Sequence, residues 1–274
     1  MKSLPRDAEG FSCFLWNNCR VNSTTSRADT FPVERLPASL QVSAERLLLH
    51  LLDSEALYTL VGALKPVSVG MHSVRLDGDP SARVAREGLN LLLPALRCGE
   101  LETGLLRRQK TFGGSAYVDL AVYSRPGVAR TVKAHREFFA GLGVAPETAP
   151  LAILEALEKA SPSDANRGLG YLYGYPAYAV EDFCERKFGK KKASPPSYFE
   201  VPTFSGKFAY PAPRGERARL EDVVLRESAH VVLAEYRRRR ERYIGAAKKG
   251  VVELVRDWFD DGSGRCSPAN ARYQ

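Results

Sequence analysis

Residues 167–189, RGLGYLYGYPAYAVEDFCERKFG, constrain the fold more than any other stretch. Gly174 follows an apolar turn, where a helix commonly ends on a left-handed residue that glycine adopts without strain. Pro176 suits the first turn of a following helix, because its missing N–H would be unpaired there anyway. Val180, Phe183, Cys184 and Lys187 then recur at helical spacing, and Gly189 supplies a stop. The pattern predicts a helix, a tight turn and a second helix. Four tyrosines (Tyr171, Tyr173, Tyr175 and Tyr178) crowd the turn, and each adds a hydroxyl that needs a partner when buried. The spacing also fits a helix-turn-helix. Its second helix would then present Glu181 and Asp182 to DNA, a like-charge penalty. A helical hairpin packed in a core is the better reading.

The segments on either side predict an α+β protein: helix-rich, a small sheet covered by helices, and a C-terminal helical pair. Val67, Val69 and Met71 alternate with Ser68, Gly70 and His72, the mark of a half-buried strand. Residues 117–123, YVDLAVY, are apolar except for Asp119 and read as a central strand. Helices are expected from Ser43 with Leu47, Leu48, Leu51 and Leu52 inward, from Ser54 into Leu60, and from Pro80 until Pro94 ends or kinks the run. Pro126 opens another that runs past His135 to Gly141, and Pro150 opens the next. His135 reads as a core histidine. Gly113-Gly114-Ser115 lacks phosphate-loop spacing and reads as a hairpin turn. Pro202, Pro211 and Pro213 keep residues 198–213 extended, as an edge strand or an aromatic strap. A long helix from Leu220 to about Ile244 and a last one from Val251 close the chain. The expected divisions are an irregular arm at 1–37, a core at 38–189, a basic linker and strap at 190–213, and C-terminal helices at 214–262.

The net charge of +8 is concentrated. Residues 186–192 contribute +5, and residues 237–249, with seven Arg or Lys against Glu241, contribute +6. The remainder of the chain is therefore about −3. Such patches attract polyanions. Lys190, Lys191, Lys192, Arg237, Arg238, Arg239 and Arg240 are candidate contacts for an anionic partner, a nucleic acid or an acidic protein. A second candidate site centres on Lys65, held between Leu64 and Pro66, where partial burial lowers the pKa of an amine. Arg125 beside a helix N-terminus, with Tyr123 and Tyr175, would complete a small-molecule or catalytic pocket. A third possibility is assembly through the aromatic strap.

Five cysteines (Cys13, Cys19, Cys98, Cys184 and Cys266) are odd in number and scattered. That pattern suits reduced thiols in a cytoplasm. No apolar run reaches the roughly 20 residues of a membrane span, and no secretory signal is expected at the N-terminus. Glu227 and His230 form half of a di-iron helix motif that has no second half here. No Walker, Rossmann or nucleophile-elbow motif occurs. The sequence points to no metal and no cofactor, and whether the chain is an enzyme is left open.

Three segments, taken in order, carry a likeness. They are Leu64-Lys65-Pro66, Tyr123-x-Arg125-Pro126, and Gly174-Tyr175-Pro176-x-x-x-Val180-x-x-Phe183. They resemble a bacterial family of unknown function with Leu-Lys-Pro, Tyr-Arg-Pro and Leu-Gly-Tyr-Pro segments. Ala229-x-x-x-Leu233-x-x-Tyr236 is similar to that family's final helix, so the likeness spans about residues 57–243. Tyr173 stands where the family has Leu, and the family's cysteine cluster is missing, so no metal role carries over. The resemblance implies a fold and a motif map, not an activity.

Overall fold

The computed structural model describes residues 25–61, 64–76, 80–108, 116–189, 197–212, 219–260 and 262–267. Cys13, Cys19, the turn at 113–115 and most of the basic linker, including Lys190, Lys191 and Lys192, lie outside them.

The architecture is α+β. After the short strand β1 (Thr25–Ser26), three strands form one antiparallel sheet: β2 (Val67–Arg75), β3 (Leu101–Arg107) and β4 (Tyr117–Ser124), in the order β2-β4-β3. The apolar run at 117–123 therefore lies in the middle, as its composition requires. Val67 pairs with Tyr123 and Val69 with Ala121. The register then shifts, and Ser73 pairs with Asp119. Gly70, at φ 87°, sits within that irregularity, where a residue without Cβ bends a strand cheaply. β3 was not foreseen. Only Leu101 and Leu106 of its hydrophobic residues are buried, so its alternation is imperfect.

Period-2 geometry sends successive side chains of β4 to opposite faces. Leu120 and Val122 join a core with α1 (Ala38–Asp53) and α2 (Leu57–Leu60). Ala121 and Tyr123 join a second core with α4 (Arg125–Ala134), α5 (Arg136–Gly141), α6 (Pro150–Lys159) and α7 (Pro162–Leu172). α3 (Pro80–Leu92) lies beside β2 and α1, and the chain leaves helical geometry into a 3-10 turn at Leu93–Ala95, around Pro94.

Three helix boundaries differ from the sequence reading. α1 begins at Ala38, on Pro37, five residues before Ser43. Leu40 packs on the core there and stabilises the extra turn. Ser54 caps a turn rather than a helix: its hydroxyl accepts the Ala56 N–H, and α2 starts only at Leu57. The helix from Pro126 breaks at His135 (φ −114°, ψ 39°). The His135 ring stacks on Tyr171 at 3.6 Å and is partly exposed rather than enclosed in the core.

The strap is a two-stranded hairpin of β5 (Ser197–Pro202) and β6 (Lys207–Ala212). β6 packs against α8 (Ala177–Phe188), and β5 against α9 (Leu220–Arg240). A π-helical turn at Glu241–Ala246 and Gly250 (φ 89°) lead into α10 (Val251–Phe259). β7 (Arg265–Cys266) then pairs with β1. Trp258 on α10 stacks parallel to Tyr236 on α9, so the C-terminal pair shares the α1 core.

Candidate functional site

The site is built on the turn between α7 and α8. Gly174 has φ 74°, and its N–H donates to the Tyr171 carbonyl. A Cβ at this position would stand 2.7 Å from the Leu64 carbonyl oxygen. Glycine thus satisfies two requirements, a left-handed backbone and a close approach to residues 64–66. Gly170 lets α7 approach α8, since a Cβ there would meet Val180 at 2.8 Å.

This seating places Tyr173 and Tyr175 over Lys65. The Lys65 ammonium is 5.2 Å and 5.6 Å from their ring centroids and 4.4 Å from that of Phe208 on β6. Its Nζ donates to Glu55 Oε2 at 2.5 Å, with side-chain exposures of 1% and 19%. Burial pushes the Lys65 pKa down, and Glu55 opposes that shift. The ammonium has one carboxylate and three π faces, the environment in which cation–π attraction is strongest. The N–H groups of Leu64 and Lys65 both donate to the Tyr58 carbonyl, fixing the backbone beneath.

A cavity of about 190 Å³ opens beside this aromatic wall. Leu169, Tyr173, Tyr175, Val180, Phe183 and Tyr210 line it. The Tyr175 ring stacks on Tyr210 at 5.2 Å. Tyr210 and Tyr178 both donate to the buried carboxylate of Asp222, at 2.5 and 2.6 Å to Oδ1, and the Arg219 N–H reaches its Oδ2 at 2.9 Å. That network ties the hairpin to the start of α9. The phenols of Tyr173 and Tyr175 have no hydrogen-bond partner among the described residues. Burial pushes both pKa values up, so both hydroxyls stay protonated.

The four residues singled out from the sequence form two pairs. Lys65 and Tyr175 are in direct contact. Arg125 instead makes a two-pronged ion pair with Glu102, at 2.9 and 3.2 Å, and the Tyr123 hydroxyl lies 3.5 Å from the same carboxylate. Their backbones meet where the Ser124 N–H donates to the Pro66 carbonyl. The Arg125 guanidinium is nevertheless spent on Glu102. Glu55, Phe208, Tyr210 and Asp222 were missed. The only available signal was the aromatic alternation of the strap.

The arginine run on α9 is mostly engaged within the protein. Arg238 and Arg239 both bind the buried Glu235, and Arg240 binds Asp53 at 3.0 and 3.2 Å and lies over Phe204. Arg237 is exposed and has no ion pair among the described residues. No group of three metal-ligating side chains occurs among the described residues, and no helix there is long and apolar enough to cross a membrane. No family model, no curated protein and no solved structure matches this chain.

Proposed function

We propose that this protein binds a small planar molecule in the cavity between α7, α8 and the β5–β6 hairpin. One observation carries the reading: an aromatic-walled cavity bordered by two phenols, Tyr173 and Tyr175, that have no hydrogen-bond partner among the described residues. Both residues are half-buried, so their hydroxyls are available to donate to an acceptor on a ligand in the cavity. A cavity of about 150 Å³ is enough to take up benzene, so about 190 Å³ suits one ring with a polar substituent. The ring would stack within the Tyr175–Tyr210 wall, and the substituent would face the phenols. Lys65 and Glu55 stand behind the wall and hold Tyr173 and Tyr175 in place. An anionic partner on α9 has less support, because Arg238, Arg239 and Arg240 are already paired with internal carboxylates.

The test is calorimetric titration with benzamide, indole and benzene. Saturable binding of benzamide, weakened about tenfold by Tyr175→Phe and abolished by the cavity-filling Leu169→Trp, is expected. No saturable binding of any probe, or binding indifferent to Leu169→Trp in a folded variant, overturns the reading.

A further inference from the structure

A second and larger cavity, of about 410 Å³, lies between α1, α3 and β2, away from the aromatic wall. Its floor is apolar, formed by Leu40, Leu47, Leu89 and Leu92. Its polar lining is Ser43, Arg46, His50 and His72, with no carboxylate among them. Arg46 has no ion pair among the described residues. His50 is anchored at the rim: its Nε2–H donates to the Met71 carbonyl at 2.7 Å, since a carbonyl can only accept. Gly88 borders the cavity on α3, and a Cβ built there meets nothing within 4 Å. The void therefore reaches the helix backbone.

We propose that this groove is a binding site for an amphiphilic carboxylate, an unbranched acyl chain with its acid group at Arg46. The leucine floor removes an alkyl chain from water, the term that favours apolar burial. Arginine binds a carboxylate through two parallel N–H donors. The absence of acidic lining gives a negative head group no repulsion to overcome. The volume falls in the usual range of ligand pockets, about 300–1,000 Å³, and more than doubles that of the aromatic cavity.

The experiment is titration of the full chain with decanoate below its micelle concentration, beside decanol and decyltrimethylammonium. Decanoate is expected to saturate one site. Decanol should bind at least tenfold more weakly, and the cation not at all. Arg46→Gln should bring decanoate close to the level of decanol. Gly88→Phe projects its ring into open groove, so it should keep the circular dichroism spectrum and lose decanoate. Equal affinity for decanoate and decanol overturns the proposal, as does unchanged binding in Gly88→Phe. Retained binding of decanoate by Leu169→Trp separates this site from the aromatic one.

Discussion

Lys65 Nζ lies 2.5 Å from Glu55 Oε2 beneath the rings of Tyr173, Tyr175 and Phe208. The ammonium is enclosed, whereas the carboxylate reaches water. The two partners should therefore respond unequally to substitution. Glu55→Gln leaves a buried cation without its counter-charge, and losing one partner of a buried pair costs about 3–5 kcal/mol. Lys65→Met leaves a partly hydrated carboxylate, so its cost should be smaller. Combining Lys65→Met with Glu55→Leu should recover much of the loss. Urea unfolding of the three variants checks this, and equal losses for both single changes would contradict the asymmetry.

Gly174 is held by its conformation and by its contact. Alanine at φ 74° must adopt a left-handed backbone, which costs about 1–2 kcal/mol. Its methyl must also displace the Leu64 carbonyl, 2.7 Å away. Gly174→Ala should destabilise by about 2–3 kcal/mol or more, with both terms acting. It should also shift the Tyr173 and Tyr175 rings. Near-ultraviolet circular dichroism will register that displacement, and an unchanged spectrum with unchanged stability would refute the close approach.

The arginines of α9 should separate by their partners. Arg237→Gln is expected to leave stability unchanged. Arg239→Gln removes one of two cations on Glu235, whose side chain is 2% exposed. Arg238 still covers that carboxylate, so the single change is buffered. Changing Arg238 and Arg239 together strands it, and the loss should exceed the sum of the single losses. Residues that share a partner are coupled in this way. A double-mutant cycle in urea measures the coupling, and strict additivity would deny the shared partner.

The organising turn was legible because its determinants are local. Gly174 and Pro176 act through φ and a missing donor, which a sequence displays directly. The central strand was legible because burial on both faces leaves an unbroken apolar run. β3 was not, since Glu102 and Thr103 interrupt its pattern and only pairing with β4 makes it a strand. The site was half legible for the same reason. Lys65 and Tyr175 announce themselves by their neighbours in sequence. Glu55, Phe208 and Asp222 enter the site through tertiary packing, which spacing does not encode. The charge run at 237–240 does not display its internal ion pairs: Arg238 and Arg239 meet Glu235 only through helical spacing, and Asp53, which binds Arg240, is far away in sequence.

Alkaline pH should weaken the fold in two stages. Burial pushes the Cys98 thiol up from 9.0 to about 12. Between those values the native chain keeps a proton that the unfolded chain releases. Stability rises with pH only where the unfolded state binds more protons, so here it must fall. The contribution is complete below pH 9 and declines above it. Burial likewise raises the phenols of Tyr58, Tyr173, Tyr175 and Tyr236, and burial with Asp222 raises Tyr178 and Tyr210. These groups add a steeper loss above about pH 10, where free phenols ionise. Cys98→Ala should make the slope shallower by up to one proton, about 1.4 kcal/mol per pH unit, from about pH 9 to about pH 12, and leave the phenols' added loss above about pH 10 in place. Absorbance at 295 nm should show native tyrosines ionising later than those of the urea-unfolded chain. A native titration superimposable on the unfolded one would rule out burial of these phenols.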